Sequence, residues 1–323
     1  MSKFICAGAL VQDVFLSNSE AFAAVNNGSK WFEKLELGGK FNVNKIDFST
    51  GGGASNAATT FARQGHKATV LGIIGHDPAA DYVITELDRE GISTELITRT
   101  KKYNTGYSVI LLAPNGERTI LTYRGASTYY ELKQLAFEES IKQKADWLYV
   151  TSLNGRMEVL KKLFLLAKAQ KMMVAFNPGK NELKQKKEML NLLPMVDLLL
   201  TNKEEMEQIV PGETSRELIA NAVKLVPIAS VTDGRHGAMV SDGQFLVKVG
   251  LYDNIRRPAD RTGAGDAFGS GLAVKLAEGK DLKQAVHFAS ANSSEVCQAI
   301  GAKTNILRSG ARIHAMDIKV TRL

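Results

Sequence analysis

From Lys67 onward the chain alternates apolar runs of strand length with longer stretches of helical pattern, and this alternation restricts the fold more than anything else in the sequence. Strands are expected at Ala68 to Ile74, Trp147 to Thr151, Met172 to Phe176, Val196 to Leu200 and Ile228 to Thr232. Helices fall between them near Ala80 to Glu90, Met157 to Ala169, Lys203 to Ile209 and Ser215 to Val226, with two more at Gly265 to Ala277 and Leu282 to Ile300. Strand, helix and strand in succession build parallel pairs with right-handed crossovers. The class is α/β, a doubly wound, mainly parallel sheet flanked by helices. In such sheets ligands bind beyond the C-terminal ends of the strands, and polar residues stand there one after another: Asn154, Asn177, Asn202 with Glu205, and Thr232-Asp233-Gly234.

Ahead of this alternation, Phe4 to Val11 reads as a buried strand that ends at Asp13, whose carboxylate is a substrate ligand or a turn residue. Residues 14–50 then break the pattern. Leu35 to Leu37 and Phe41 to Phe48 alternate apolar and polar side chains around Gly38-Gly39-Lys40, and Tyr107 to Ala113 with Arg118 to Thr122 forms a hairpin around Pro114-Asn115-Gly116. Together these segments, about 14–50 and 105–124, make a small antiparallel β lid within a single domain spanning residues 1–323. An exposed strand edge on that lid is a place for a second copy to pair, giving a homodimer.

Composition removes several classes of function. With 44% hydrophobic and 23% charged residues the chain has the make-up of a globular protein. The net charge of +7 favours anionic ligands, yet the basic residues are spread along the chain, so no nucleic-acid partner is expected. No apolar run reaches the length of a membrane span, and the start of the chain is too short in apolar length for a signal peptide. Cys6 and Cys297, both in apolar stretches, read as reduced thiols of a cytoplasmic protein. The histidines show no metal-ligand spacing.

Two glycine-rich turns carry the chemistry. In Asp260-Arg261-Thr262-Gly263-Ala264-Gly265-Asp266-Ala267-Phe268, three small residues precede a helix with Asp266 in its first turn. Small residues let backbone N–H groups converge, and the first turn of a helix has unpaired donors and a partial positive charge, so an anion is favoured there. A carboxylate fixed at that point can take a proton from an alcohol while the donors hold a transferring phosphoryl group; the plainer reading is that Asp266 caps the helix. In Gly51-Gly52-Gly53-Ala54-Ser55-Asn56 the glycines permit close approach of a small polar ligand, and Asn56 can donate to and accept from hydroxyl groups. No Gly-x-x-x-x-Gly-Lys-Ser/Thr loop occurs, and neither turn has the third small residue of a dinucleotide fingerprint.

In this order and spacing the segments resemble the ribokinase-like carbohydrate kinases, also called the phosphofructokinase-B family, from Ala7 to about Thr304. The resemblance implies ATP and Mg²⁺, with Asp266 as general base and the backbone of Gly263, Ala264 and Gly265 as anion hole. It implies Asp13, Gly52, Gly53 and Asn56 at the sugar, Asn202 and Glu205 at Mg²⁺ through water, and Thr232, Gly234, Gly237 and Asn292 at the nucleotide. Many members also use a monovalent cation such as K⁺, which would fall near Asp260, Thr262 and Gly301 to Thr304.

The chain departs from ribokinase at Gly53, where ribokinase carries a lysine, and in a longer segment from Asp13 to Gly51. Arg124, after the hairpin, is similar in place to a carboxylate-reading arginine of 2-keto-3-deoxygluconate kinases; a surface salt bridge is its alternative. The implied function is phosphoryl transfer from ATP to a hydroxyl of a small sugar. A nucleoside kinase is the alternative, in which Phe15, Phe41 or Tyr107 stacks on a base. A non-catalytic sugar- or nucleotide-binding regulator is a further one.

Overall fold

A computed structural model describes residues 1–17, 19–28, 31–114, 117–131, 135–136, 144–253 and 258–323. The expected hairpin turn at Asn115-Gly116 lies outside the described residues. Strand β1 (Lys3–Ala7) opens the central sheet, and the chain then leaves it for the lid at β2 (Val11–Ser17). Two short strands, β3 (Ala24–Asn26) and β4 (Trp31–Glu33), pair with each other before β5 (Lys45–Gly51) returns to the glycine turn and helix α1 (Gly53–Arg63). Next come β6 (Lys67–Ile74), α2 (Pro78–Arg89), β7 (Ile97–Arg99) and the lid strands β8 (Gly106–Leu112) and β9 (Arg118–Tyr123). The second half runs β10 (Trp147–Thr151), α3 (Met157–Ala169), β11 (Met173–Asn177), α4 (Lys180–Leu183) and α5 (Lys186–Leu192). It continues through β12 (Leu198–Asn202), α6 (Lys203–Ile209), α7 (Ser215–Ala222), β13 (Ile228–Thr232), β14 (Ala238–Ser241) and β15 (Phe245–Val249). Two long helices, α8 (Ala264–Ala277) and α9 (Leu282–Val296), precede the last strand, β16 (Ile318–Arg322).

Among the described residues the central sheet has the order β16-β15-β14-β13-β12-β11-β10-β1-β6-β7. It is parallel from β13 to β7, and β14, β15 and β16 add an antiparallel edge that the periodicity did not reveal. Successive residues of the inner strands feed opposite cores. Phe4, Cys6, Trp147 and Tyr149 pack on one face with α1, α8 and α9, while Ile5, Ala7, Leu148 and Val150 pack on the other with α3 and α7. Burial on both faces is why these strands read as continuous apolar runs rather than alternating ones.

The lid has the order β5-β2-β8-β9. Its outer pairs are antiparallel, but β2 and β8 run parallel, because the intervening chain crosses back through the central sheet before β8 begins. Two expectations fail here. The first strand stops at Ala7 rather than Val11, so Asp13 sits inside lid strand β2, opposite Ser49 and Ser108, and not at the end of a central strand. The break is steric: Gly8 has φ 154° and lies so close to Thr151 that a Cβ would strike the threonine hydroxyl. Strands expected at 35–37 and from 41 are likewise absent, and β5 begins only at Lys45.

Candidate active site

The two glycine turns meet although 210 positions separate their key residues. Asn56, in the first turn of α1, donates from Nδ2 to Asp266 Oδ2 at 2.7 Å, while its own Oδ1 is buried with no partner. Burial raises the Asp266 pKa, and the Asn56 bond opposes that rise. Ser270, one turn along α8, bonds the Asp266 carbonyl at 2.6 Å and Thr60 of α1 at 2.8 Å, so the helices are tied at the carboxylate.

Each glycine of these turns has a separate reason to be glycine. Gly263 caps α8 with φ 82°, and a Cβ there would lie 2.5 Å from that of Ala302. Gly265 is different: a Cβ built on it meets nothing within 4 Å, so the protein leaves open the space beside Asp266. Gly52 has φ 92° and faces the Ala9 carbonyl too closely for a side chain, while Gly53 would place a Cβ 2.6 Å from Thr151. Gly51 is pressed against the Asp13 carboxylate.

Buried charge surrounds the lid side of this centre. Asp13 is 7% exposed, and burial pushes its pKa up to about 6 against the opposing effects of a Ser108 hydrogen bond and the Lys303 charge. Lys303, pushed down to about 8 by burial, donates to Ser55 Oγ at 2.7 Å and also bonds Thr50 Oγ1. Asp260 is fully buried as well. Its Oδ1 accepts from Thr262 N at 2.9 Å and Thr262 Oγ1 at 2.7 Å, its Oδ2 from Gly301 N at 3.2 Å, and Arg118 Nε of β9 lies 3.5 Å from Oδ1. Sequence reasoning placed Gly301 to Thr304 near Asp260 but missed Lys303 as a buried cation and Arg118 as the ion-pair partner of Asp260. A lysine inside a Gly-Ala-Lys-Thr loop looks like any surface lysine until the fold closes over it.

On the other side of Asp266, Asn202 and Glu205 form a reciprocal cap on α6: Asn202 Oδ1 accepts from Glu205 N at 2.8 Å, and Glu205 Oε2 from Asn202 N at 2.9 Å. Both line a cavity of about 130 Å³ together with Asn177, Gly265 and Asp266. Burial raises the Glu205 pKa, and the Asp266 charge adds to that rise. Asn202 and Glu205 each keep oxygen lone pairs beyond those the cap uses, the donor type that a hydrated Mg²⁺ takes. An adjoining cavity of about 440 Å³ is lined by Asn202, Thr232, Gly234, Gly237, Tyr252 and Ser293. Gly237 (φ 86°) packs against the Val249 carbonyl, which turns the chain from β13 into β14 along the cavity wall.

Asn292 is a correction. It is fully buried, donates to the Ala267 carbonyl at 2.8 Å and accepts from Leu307 N at 2.9 Å, so its amide is spent bracing α8. The α9 residues that line the cavity are Ser290, Ser293 and Ser294. Arg124 lines a cavity with Asn154 whose lining does not include Asp266. Phe15 is buried in the lid with Ile110 and Leu112 and is not free to stack on a base.

The chain is 28% identical over 254 residues to ribokinase of Bacillus subtilis, covering 76% of this chain and 81% of that protein. In fold it is similar to a putative Ribokinase II from E. coli in complex with ATP and Mg²⁺, with TM-score 0.78, 18% identity and coverage of 95% of this chain and 96% of that one. It is also similar to a Methanocaldococcus jannaschii nucleoside kinase, an archaeal member of the ribokinase family, with TM-score 0.74, 19% identity and coverage of 95% of both chains. The pfkB family carbohydrate kinase profile matches residues 29–308, and the chain therefore belongs to that family of phosphotransferases with an alcohol acceptor.

Proposed function

We propose that the chain is one kinase domain, residues 1–323, that phosphorylates a hydroxyl of a small sugar with ATP, Asp266 acting as general base. The observation that carries this reading is the 2.7 Å bond from Asn56 to Asp266 at the mouth of α8, beside the space left open at Gly265. The Asp266 carboxylate takes the proton of the acceptor hydroxyl as its oxygen attacks the γ-phosphorus in line. The bond to the β–γ bridging oxygen breaks and ADP leaves. Backbone N–H groups of the Gly263 to Gly265 turn stabilise the charge on the transferring group. Asn56 Oδ1, unpartnered in the protein, accepts from a second acceptor hydroxyl, and Asp13 with the glycines at 52 and 53 holds others. Asn202 and Glu205 would hold Mg²⁺ through water, and the ion would supply positive charge to the phosphates. Thr232, Gly234 and Gly237 wall the nucleotide.

Asp260 fits a monovalent cation poorly. Its carboxylate already has three hydrogen-bond donors, and the Arg118 guanidinium stands where positive charge would be needed. We infer that Arg118 supplies that charge and that K⁺ is not required. The free thiols Cys6 and Cys297 agree with a cytoplasmic protein, and no helix among the described residues is long and apolar enough to cross a membrane. Exposed Ile46, Phe48, Ile120 and Leu121 on the lid favour a homodimer through it, and sedimentation as a monomer at micromolar concentration would remove that reading.

The test is ADP release from ATP and Mg²⁺ across pentoses, hexoses, sugar acids, sugar phosphates and nucleosides, with Asp266→Asn alongside. Turnover should appear with one acceptor class and fall about 10²- to 10⁴-fold in the variant, with ATP affinity kept. Turnover confined to nucleosides selects the alternative acceptor class. Acceptor binding without turnover selects the regulator, and a fully active Asp266→Asn removes the base.

A further inference from the structure

A cavity of about 680 Å³ opens beside the C-terminal ends of β10 and β11, and its lining carries four cations: Arg124, Arg156, Lys180 and Lys184. It shares no lining residue with the two cavities that flank Gly265. None of the four cations is ion-paired with a carboxylate among the described residues. The nearest carboxylate in their loops, Glu182, is outside the lining and offsets at most one of the four charges. Glu182 is fully buried, and its oxygens accept from Ser152 Oγ at 2.7 Å, Leu153 N at 2.9 Å, Gly155 N at 2.7 Å and Gly179 N at 3.0 Å. Its acceptor capacity is thus used to fix the two loops that present the cations. Asn154, also in the lining, holds a left-handed backbone (φ 58°) and accepts at Oδ1 from Asn181 Nδ2 at 2.6 Å. The wall is therefore built from both loops together.

All four cations are solvent-exposed, and a single exposed cation attracts an anion weakly, but several around one concave surface add their fields within it. The place of the cavity says which anion could use it. Thr151, the last residue of β10, packs against Gly53 at the start of α1, and the cavity begins at the next residue, Ser152. Asn56, which holds Asp266, lies three residues beyond Gly53 on the same helix. Arg124 closes the side toward the lid, directly after β9.

We propose that this cavity binds an anionic group on the acceptor, at the end remote from the hydroxyl that is phosphorylated. A phosphate monoester or a carboxylate satisfies that chemistry, and the dianion of the former matches four cations better. The proposal rests on the kinase reading and deepens it: the substrate is an acidic sugar derivative rather than a neutral sugar or nucleoside.

The experiment compares the wild-type protein with the double variant Arg156→Ala, Lys180→Ala, two exposed positions whose change leaves Glu182 and its loops in place. Acceptors are sugar monophosphates, sugar acids and neutral sugars. An acidic acceptor should be preferred, with kcat/KM falling about 10²-fold in the double variant and ATP KM unchanged, consistent with the loss of charge-assisted hydrogen bonds. Arg156→Lys with Lys180 kept should retain most of the activity. Wild-type kcat/KM for the acidic acceptor should also fall as salt rises, which loss of mere wall structure would not produce. Preference for sugar monophosphates or for sugar acids distinguishes the two anion sources. A neutral acceptor preferred over every acidic one, with kcat/KM unaffected by the double variant, overturns the proposal. If nothing is turned over, the kinase reading fails, and calorimetric titration with a hexose monophosphate judges the cavity alone: binding lost in the double variant supports it, and no binding to wild type overturns it.

Discussion

The two sides of Asp266 are built from different materials. On the side of the cavity of about 440 Å³ the walls combine Gly234, Gly237, Gly265 and the serines of α9 with Tyr252, Phe268 and the solvent-exposed Arg235 and Arg261, while Asn202 and Glu205 cap each other. Toward the lid they are buried charges brought from distant parts of the chain, Asp13 from β2, Arg118 from β9, and Asp260 and Lys303 from either side of the last two helices. A phosphate chain common to many substrates can be held by N–H donors that any sequence possesses, provided that side chains keep clear. An acceptor has to be told apart from others, and that takes charged side chains whose burial is costly.

The largest effect that tests this contrast is at Asp13. Because burial raises its pKa to about 6, the carboxylate is ionised above that pH and becomes protonated below it. Log kcat/KM for the acceptor should therefore fall with unit slope as pH drops through about 6, the free-enzyme value being the one that this quantity reports. Asp13→Asn should lower the plateau by about 10²- to 10³-fold through lost charge-assisted hydrogen bonds, and should remove the Asp13 part of that limb, leaving only the fall that protonation of the Asp266 base imposes. ATP binding should be unaffected in both cases. An acid limb with the same midpoint in Asp13→Asn as in wild type would assign it to Asp266 alone and break the division between the two sides.

A smaller effect separates steric from functional glycines within one turn. Gly263→Ala puts a side chain at φ 82° and 2.5 Å from the Ala302 Cβ, so it should cost about 1–3 kcal/mol of stability, read as a lower melting temperature. Gly265→Val meets no protein atom within 4 Å of its new Cβ and should melt close to wild type, yet lose about 10- to 100-fold in kcat because the branch fills the space meant for the phosphoryl group. If both variants lost stability equally, the opening at Gly265 would have no functional meaning.

The part of this architecture that could be read in advance is the part where local pattern and tertiary role coincide. The strands Trp147–Thr151 and Ile228–Thr232 and the helix Met157–Ala169 fall where periodicity puts them, because each is flanked by turns and packed as a unit. The first-turn positions of Asp266 and Asn56 were legible because runs of small residues mark the starts of both helices. The lid was legible only in outline. Asp13 could not be placed, since nothing in Phe4 to Val11 marks the break that a contact between Gly8 and Thr151 imposes from 143 positions away. Asn292 was assigned to the nucleotide for a related reason: a polar residue in a helix gives no sign that two backbone partners, Ala267 and Leu307, will absorb its amide. Lys303 and Arg118 acquire meaning only as neighbours of Asp13 and Asp260.

The smallest effect concerns that last pair, and it bears on whether the charges of the lid side are a device of this chain. Asp260 is buried beside the turn that leads to Gly263, where a carboxylate calls for a partner of opposite charge. Arg118 is the cation present, with its side chain 24% exposed and its Nε buried 3.5 Å from Asp260 Oδ1 without a hydrogen bond of its own. Wild-type turnover should be the same in K⁺ as in a bulky organic cation. Arg118→Met keeps the length and apolar stem of the side chain but removes the charge, and turnover should fall about 10-fold, the size of one lost ion-pair contribution. Because the oxygens around Asp260 would then face an uncompensated carboxylate, K⁺ should restore much of that loss and Na⁺ less. A wild-type protein that already needs K⁺ would show that the guanidinium lies beside the cation rather than in its stead, and the acceptor side would then share its balancing charge with solvent instead of carrying it in the chain.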